Sequence, residues 1–167
     1  MNRVVRDTGY AVLMVCMGNI CRSPTAEGVF RHMVRQSDVA GKVRIDSAGT
    51  LDYHIGSPPD HRSQHHARLR GYDLSAQRAR QVKVIDFENF DLVLAMDWQN
   101  LTELEAMCPK PQLHKVRRLM EFAPPGISDE VPDPYTGGER GFEMVLNQVE
   151  AACRGLLEHV RLELQPR

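Results

Sequence analysis

The feature that most constrains the fold is the apolar run from Ala11 to Val15, which breaks off into the segment "CMGNICRS" at residues 16–23. An uninterrupted apolar run of this length is typical of a strand buried on both faces, as found in parallel sheets. After the loop, Ser23 and Pro24 suit the N-cap and N1 positions of a helix, and apolar residues then recur at helical spacing. This part of the chain therefore predicts a strand, a loop and a helix.

The rest of the chain continues this alternation of strand and helix patterns. An apolar stripe on one face predicts a long final helix, and Gly71 is suited to end an earlier one. Together the patterns predict an α/β fold: a doubly wound, four-stranded parallel sheet with helices on both faces and a phosphate-binding loop after the first strand. Further strands are expected at 42–49, 90–96 and 115–122, and helices within 61–73 and at 98–107 and 139–164.

Composition limits the possible classes of protein. A chain of 167 residues with 42% hydrophobic and 26% charged residues fits a single domain over 1–167. A net charge of -1 predicts no nucleic-acid or anionic-membrane partner, and the run Ala11–Met17 is too short for a membrane span of about 20 residues. Four cysteines are few for a disulfide scaffold, so we expect reduced thiols and a cytoplasmic protein.

The loop after the first strand is suited to nucleophilic chemistry. Cys16 precedes the expected helix N-terminus, and five residues separate Cys16 from Arg22. A helix dipole and a nearby guanidinium lower a cysteine pKa from ~8.5 into a range of ~3.5–7.5. Cys16 is therefore expected to be a thiolate nucleophile at neutral pH.

The same loop is suited to hold a tetrahedral anion. Backbone N–H groups that curl inward form an anion nest, and the fork of Arg22 can engage two phosphate oxygens. Gly18 and Asn19 are residue types that tolerate the positive φ of a tight cradle. The predicted phosphate-binding residues are Met17, Gly18, Asn19, Ile20, Cys21 and Arg22.

The two loop cysteines could also be structural residues or metal ligands. A cysteine at a strand end is often a small buried residue, and Cys16 with Cys21 has a spacing that suits metal ligands. No second pair with matching spacing follows, and His65 and His66 are adjacent in a predicted helix, where we expect them to be solvated. We therefore predict neither a metal nor a cofactor.

The residues around this loop resemble the active-site segment of the low-molecular-weight protein tyrosine phosphatases. The resemblance extends from about residue 10 to 162, in the order and at about the spacing of that family. The segments that carry it are "VCMGNICRSPTAEGVF" at 15–30, "DSAGT" at 46–50, "ARQV" at 79–82, "MDWQNL" at 96–101 and "PDPYTGG" at 132–138.

The resemblance implies a two-step hydrolysis of phosphotyrosine through a phosphocysteine on Cys16. Arg22 and the loop amides would hold the phosphate oxygens, and Ser23 would donate a hydrogen bond to the sulfur. Asp133 corresponds to the general acid and base of the family. An acid role requires its pKa to rise above ~3.9, and Asp97 and Asp129 are the neighbouring carboxylates that could cause this.

The family pattern also implies supporting and substrate-binding residues. Asn19 and Ser47 match residues that brace the loop, and Tyr53 and Tyr135 match aromatic residues that flank the mouth of the site. Two rings there would sandwich a phenyl ring and favour phosphotyrosine over phosphoserine. The expected partners are phosphotyrosine proteins, among them a tyrosine kinase of polysaccharide export, and inorganic phosphate is the expected product.

The chain departs from better-known members at two positions and raises a redox question at a third. Thr136 stands where many members have a second aromatic residue, and Gln77 stands where many have a histidine. The first departure affects the width of the substrate-binding cleft, and the second affects the support of the phosphate-binding loop. Cys21 could form a reversible disulfide with an oxidised Cys16, or it could be a buried loop residue.

Two other functions are compatible with a loop of this kind. An arsenate reductase of the same fold would need two further cysteines close together, whereas Cys108 and Cys153 are far apart in the sequence. A phosphate-binding module without turnover is disfavoured because Cys16, Arg22, Ser23 and Asp133 are all present.

Overall fold

The computed structural model describes residues 9–134 and 138–166. Its strands are β1 Tyr10–Cys16, β2 Val43–Gly49, β3 Leu92–Ala95 and β4 Val116–Arg118. Its α-helices are α1 Arg22–Arg35, α2 His61–Leu69, α3 Asp86–Asn89, α4 Trp98–Met107 and α5 Gly138–Glu163. Short 3₁₀ helices at Lys110–Lys115 and Leu119–Phe122 flank β4.

The four strands form one parallel sheet in the order β2-β1-β3-β4. The chain leaves β1 towards β2 on one side and then crosses to β3 on the other. The carboxyl end of β1 therefore lies at the topological switch point, where open α/β sheets bind their ligands. Cys16 is the last residue of β1 and stands at that point. The predicted doubly wound four-stranded sheet is confirmed.

Both faces of the sheet are covered by apolar side chains. Alternate residues of β1 enter different clusters: Val12 and Met14 pack with α1 and α5, whereas Leu13 and Val15 pack with α3 and α4. This alternation follows from the period of two along a strand. Cys16 belongs to the same face as Val12 and Met14, so its side chain lies on the side of α1.

Two local predictions are wrong. The fourth strand ends at Arg118, and Leu119 and Met120 are buried in a 3₁₀ helix, because a short buried apolar run has the same sequence pattern in both structures. Helix α1 begins at Arg22 with Cys21 at the N-cap, so Ser23 lies inside the first turn and is not the cap. Its hydroxyl lies beside the sulfur of Cys16 instead.

One of the paired histidines is also placed differently from the expectation. His65 is exposed, but His66 is buried, stacks on the ring of Phe142 and places Nδ1 3.0 Å from Glu143 Oε1. Arg70 forms ion pairs with Glu143 and Glu150. These contacts attach α2 to α5, which sequence patterns could not indicate because the partners are more than 70 residues apart.

Helix α5 packs closely on the 3₁₀ helix that follows β4. A Cβ atom added at Gly155 would overlap the carbonyl oxygen of Phe122, so this crossing requires a glycine. Within the described ranges, no helix combines the length and the apolar character that a bilayer crossing needs.

This close approach predicts the effect of a methyl group at Gly155. We expect Gly155→Ala to lower the free energy of unfolding by about 1–3 kcal/mol, although alanine favours a helix interior over glycine by ~1 kcal/mol. Urea unfolding followed by circular dichroism measures the change. The control is Leu162→Ala on the same helix, at a side chain that is 65% exposed, where we expect less than about 0.5 kcal/mol. A Gly155→Ala protein as stable as wild type would contradict the packing described.

Candidate active site

Four carbonyl groups at the loop between β1 and α1 point outward, to partners that surround it. Gly49 lies so close to the loop that an added Cβ would be 2.6 Å from Met17 O. The outward bonds run from Thr50 N–H to Cys16 O (2.9 Å), from Leu51 N–H to Met17 O (3.0 Å), from Asp60 N–H to Ile20 O (2.7 Å) and from Thr25 Oγ1 to Cys21 O (2.7 Å).

The orientation of these carbonyls determines where the loop amides point. No peptide bond in the described ranges is cis, and a trans peptide unit carries its N–H on the side opposite to its C=O. The N–H groups of Met17, Gly18, Cys21 and Arg22 therefore face the interior of the loop. Several N–H groups that converge in this way attract an anion.

The interior of the loop is part of an open pocket of about 120 Å³. The pocket brings together residues from β1, the loop, the 50–56 turn and the segment before α5. Its lining residues are Cys16, Met17, Gly18, Ile20, Cys21, Arg22, His54 and Asp133. Of the predicted phosphate-binding residues, Asn19 is not part of this lining, and its side chain is directed elsewhere.

The sulfur of Cys16 has a hydrogen-bonding partner inside α1. Cys16 Sγ and Ser23 Oγ lie 3.0 Å apart, and Asn19 Nδ2 donates to the same hydroxyl over 2.8 Å. Because Asn19 occupies an acceptor site of the hydroxyl, the Ser23 proton is available to the sulfur or, at the longer distance of 3.4 Å, to Ala48 O. A hydrogen bond to an ionised acceptor is the stronger one, so a Cys16 thiolate would attract this proton.

Asn19 holds the loop in an unusual backbone conformation. Its φ is 57°, and its buried side chain donates to Ser23 Oγ and to Ser47 Oγ (3.0 Å) and accepts from Arg80 N–H (3.0 Å). Ser47 in turn donates to Glu27 Oε1 over 2.7 Å. Three parts of the chain, α1, β2 and the segment at Arg80, therefore hold one loop residue in the left-handed region, and Arg80 and Glu27 are supports whose contacts the sequence did not reveal.

Glu27 is a buried carboxyl group, and its ionisation depends on its partners. Burial raises its pKa, while the hydroxyl of Ser47 and the guanidinium of Arg31, 2.6 Å away, oppose the increase.

Gln77 supports the first turn of α1, since its Nε2 donates to Pro24 O over 3.0 Å. The position where the family often has a histidine therefore braces the first turn of α1 in this chain.

Arg22 is buried, and a single guanidinium nitrogen connects it to two other parts of the chain. Its Nη1 donates to Asp97 Oδ2 over 2.6 Å and to Val131 O over 3.2 Å, and the residue is only 4% exposed. Burial lowers the pKa of Arg22, but the charges of Cys16, Asp97 and Asp133 outweigh it and raise the pKa overall. The guanidinium is therefore charged and fixed at the wall of the pocket.

The Asp97 carboxylate and the Asp129 backbone, both predicted to lie near Asp133, are each held by an arginine. Asp97 pairs with Arg22, and its second oxygen accepts from Asn100 N–H over 2.7 Å at the start of α4. The backbone carbonyl of Asp129 accepts from Arg118 over 2.9 Å. Asp133 itself is exposed at the pocket, two residues beyond the buried Val131.

Cys21 lies in the same pocket, and its thiol is protonated at neutral pH. Burial raises its pKa to about 12, and the charges of Asp60, Cys16 and Asp133 add to the increase. A hydrogen bond with Ser63 lowers the pKa and opposes these effects. The residue is 6% exposed. Cys16 is also buried, at 3% exposed, but its sulfur contacts the hydroxyl of Ser23, whereas that of Cys21 contacts Ser63.

The mouth of the pocket contains a residue that sequence reasoning did not assign to the site. His54 lines the pocket and packs on Gly18, where an added Cβ would be 3.0 Å from His54 Cδ2. Tyr53 is 84% exposed and meets His54 edge to face, with ring centroids 5.2 Å apart. Tyr135 and Thr136 lie outside the described residues. The sequence signal that could have identified His54 is its place directly after Tyr53, a predicted substrate-binding residue.

The difference between the loop cysteines predicts selective alkylation. At pH 7 a thiol of pKa about 12 is a thiolate in only about one molecule in 10⁵, so iodoacetamide should leave Cys21 unmodified. We expect Cys16 to be carboxamidomethylated first, and inorganic phosphate to protect it, as measured by peptide mass spectrometry. Cys16→Ser is the control and should lose the fast reaction. Preferential labelling of Cys21 would contradict the assignment.

Comparison with known proteins shows the family of this chain. The family model for "Low molecular weight phosphotyrosine protein phosphatase" matches residues 11–166. A low molecular weight protein-tyrosine-phosphatase of Streptomyces coelicolor is 43% identical over 161 residues, which cover 95% of this chain and 98% of that protein. The low molecular weight phosphotyrosine protein phosphatase of Homo sapiens is 40% identical over 149 residues, with 89% and 94% covered.

A solved structure gives the same result. The crystal structure of a protein tyrosine phosphatase from Entamoeba histolytica, with Hepes in the active site, has a TM-score of 0.90 and 39% identity to this chain. The match covers 93% of this chain and 99% of that one. With matches over nearly the whole described length, the chain belongs to the low molecular weight protein tyrosine phosphatases and is an enzyme of that family.

Proposed function

We propose that the enzyme hydrolyses phosphotyrosine through a covalent phosphocysteine on Cys16. The observation that carries the proposal is the pocket in which Cys16, Arg22 and Asp133 meet, with the Ser23 hydroxyl 3.0 Å from the Cys16 sulfur. These groups supply a nucleophile, an anion-binding cation and a carboxyl group within one small cavity.

In the first step, the Cys16 thiolate attacks phosphorus and the bond to the tyrosyl oxygen breaks. Arg22 and the inward-facing loop amides hold the equatorial oxygens, which stabilises the transition state more than the ground state. Asp133, in its protonated form, gives its proton to the departing phenolate oxygen. A positioned general acid contributes about 10²–10⁴-fold to such a step.

In the second step, water attacks the phosphocysteine and inorganic phosphate is released. Asp133 is now a carboxylate and accepts the proton of the attacking water. The sulfur leaves as a thiolate, and Ser23 stabilises the developing charge, because Asn19 occupies an acceptor site of the hydroxyl and leaves its proton available to the sulfur. The enzyme returns to its starting state without a metal or an organic cofactor.

The substrates in this proposal are phosphotyrosine proteins, with a tyrosine kinase of polysaccharide export among the candidates. A phenyl ring at the mouth would contact His54, and the exposed Tyr53 ring stands next to it. Tyr135 would contribute the second ring that the resemblance implies. Two aromatic side chains at the mouth favour the flat and longer side chain of phosphotyrosine over that of phosphoserine.

We also propose that Cys21 takes part in reversible oxidation. Peroxide would convert Cys16 to a sulfenic acid, and condensation with the Cys21 thiol would form a disulfide and release water. The two residues line the same pocket, which supports the proposal. A thiol reductant would then restore both cysteines.

Substrates with different leaving groups test the catalytic roles. We expect wild type to hydrolyse a phosphotyrosine peptide and 4-nitrophenyl phosphate in EDTA, and Cys16→Ser to hydrolyse neither. For Asp133→Asn we expect kcat/KM to fall by about 10²–10⁴-fold for the peptide and much less for a substrate whose leaving group needs no proton.

The outcomes that contradict the proposal are distinct. Residual turnover in Cys16→Ser would exclude the covalent intermediate on Cys16. Equal losses for all leaving groups in Asp133→Asn would exclude Asp133 as the general acid. If wild type bound phosphate but hydrolysed neither compound, the pocket would be a receptor or an arsenate site.

A further inference from the structure

The segment that carries Asp133 is exposed over residues 124–129 and becomes fixed only just before the pocket. Three consecutive residues, 129–131, are each attached to the body of the protein. Arg118 Nη1 donates to Asp129 O over 2.9 Å, Trp98 N–H donates to Glu130 Oε1 over 3.1 Å, and Val131 N–H donates to Met96 O over 2.8 Å.

Arg118 is the part of this attachment that reaches furthest into the exposed segment. Its guanidinium lies 3.9 Å from the ring centroid of Trp98, within the range of a cation–π contact. Its backbone N–H donates to the Glu121 carboxylate over 2.7 Å, which fixes the residue at the end of β4. The side chain therefore connects a rigid strand end, an aromatic ring and the carbonyl of Asp129.

The start of α4 connects this attachment to the phosphate site. Asp97 and Trp98 are consecutive: Asp97 pairs with Arg22, and Trp98 carries both the Arg118 stack and the bond to Glu130. A carboxylate at a helix N-terminus is favourably placed in the helix dipole, which strengthens the bond to Glu130. One helix end therefore fixes the guanidinium that binds phosphate and the segment that carries the carboxyl group.

We propose that Arg118, stacked on Trp98, is a positioning residue that sets the distance between Asp133 and the leaving group. The inference rests on the proposed role of Asp133 as general acid. Without the guanidinium, the carbonyl of Asp129 turns to solvent and residues 124–130 gain conformational freedom. Proton transfer requires approach to hydrogen-bonding distance, so the loss falls on substrates that need the proton.

The test compares two substrates in Arg118→Ala. Phenyl phosphate needs protonation of its leaving group, and 2,4-dinitrophenyl phosphate does not. We expect kcat/KM, which reports the steps through phosphoryl transfer, to fall about tenfold for phenyl phosphate and less than about twofold for the dinitrophenyl ester. Inhibition by inorganic phosphate should be unchanged, because the loop and Arg22 remain in place.

Arg117→Ala is the matched control, since it removes an identical side chain from the neighbouring residue. The guanidinium of Arg117 lies over the ring of Phe122, 4.7 Å from its centroid, and not over Trp98. We expect this variant to retain wild-type kinetics on both substrates. Trp98→Phe keeps an aromatic face for Arg118 and should retain most activity, whereas Trp98→Ala should resemble Arg118→Ala.

A double variant shows whether Arg118 acts through Asp133. In an Asp133→Asn background, Arg118→Ala should cause little further loss, because residues that act as a unit are not additive. If Asp133→Asn alone does not discriminate between the two substrates, the proposed acid role is wrong. If it does, while Arg118→Ala has no effect or lowers both substrates equally, or while Arg117→Ala causes the same loss, the positioning role of Arg118 is overturned.

Discussion

The site depends on how the charge of a buried guanidinium is balanced. Arg22 is nearly inaccessible to solvent, and a buried cation without a partner would be costly. Asp97 supplies the opposite charge over 2.6 Å, and Val131 supplies a carbonyl. Because these partners lie at the start of α4 and in the segment before Asp133, burial of one side chain draws three separate parts of the chain together at the end of β1.

The loop itself is held by a second set of polar contacts, which fix both its backbone and the Ser23 hydroxyl beside Cys16. Outward-turned carbonyls leave the amides of the loop to face an anion, and Asn19 maintains the left-handed turn that makes this possible. The same asparagine donates to the hydroxyl of Ser23, which leaves the hydroxyl proton available to Cys16 or to Ala48 O. A loop prepared in this way needs little reorganisation when charge develops on the phosphate or the sulfur.

Much of the architecture could be predicted because it follows from local patterns. The apolar run of β1 and the apolar stripe of α5 each have one favourable way to be buried. The spacing from Cys16 to Arg22 can be read from a few neighbouring residues. The end of β4 was misjudged because Leu119 and Met120 are apolar and buried in a 3₁₀ helix as they would be in a strand.

Other parts of the site could not be predicted because they depend on pairs distant in the sequence. Nothing near Asp97 indicates that its partner is Arg22, 75 positions away. Arg118 and Trp98 meet only because β4 and α4 pack together. His54 enters the pocket because the turn that carries it folds over Gly18. Local sequence patterns therefore identified Cys16 and the following loop as the candidate site, but the contacts of Arg22, Arg118 and His54 required the three-dimensional structure.

Trapping the covalent intermediate would decide whether Cys16 is the nucleophile. The enzyme would be mixed with excess 4-nitrophenyl phosphate, quenched in acid within the first turnovers and digested for peptide mass spectrometry. We predict one phosphoryl group on Cys16 in wild type and none in Cys16→Ser. Turnover without a phosphoenzyme, or with phosphate on another side chain, would contradict the assignment of Cys16 as the residue that carries the phosphoryl group.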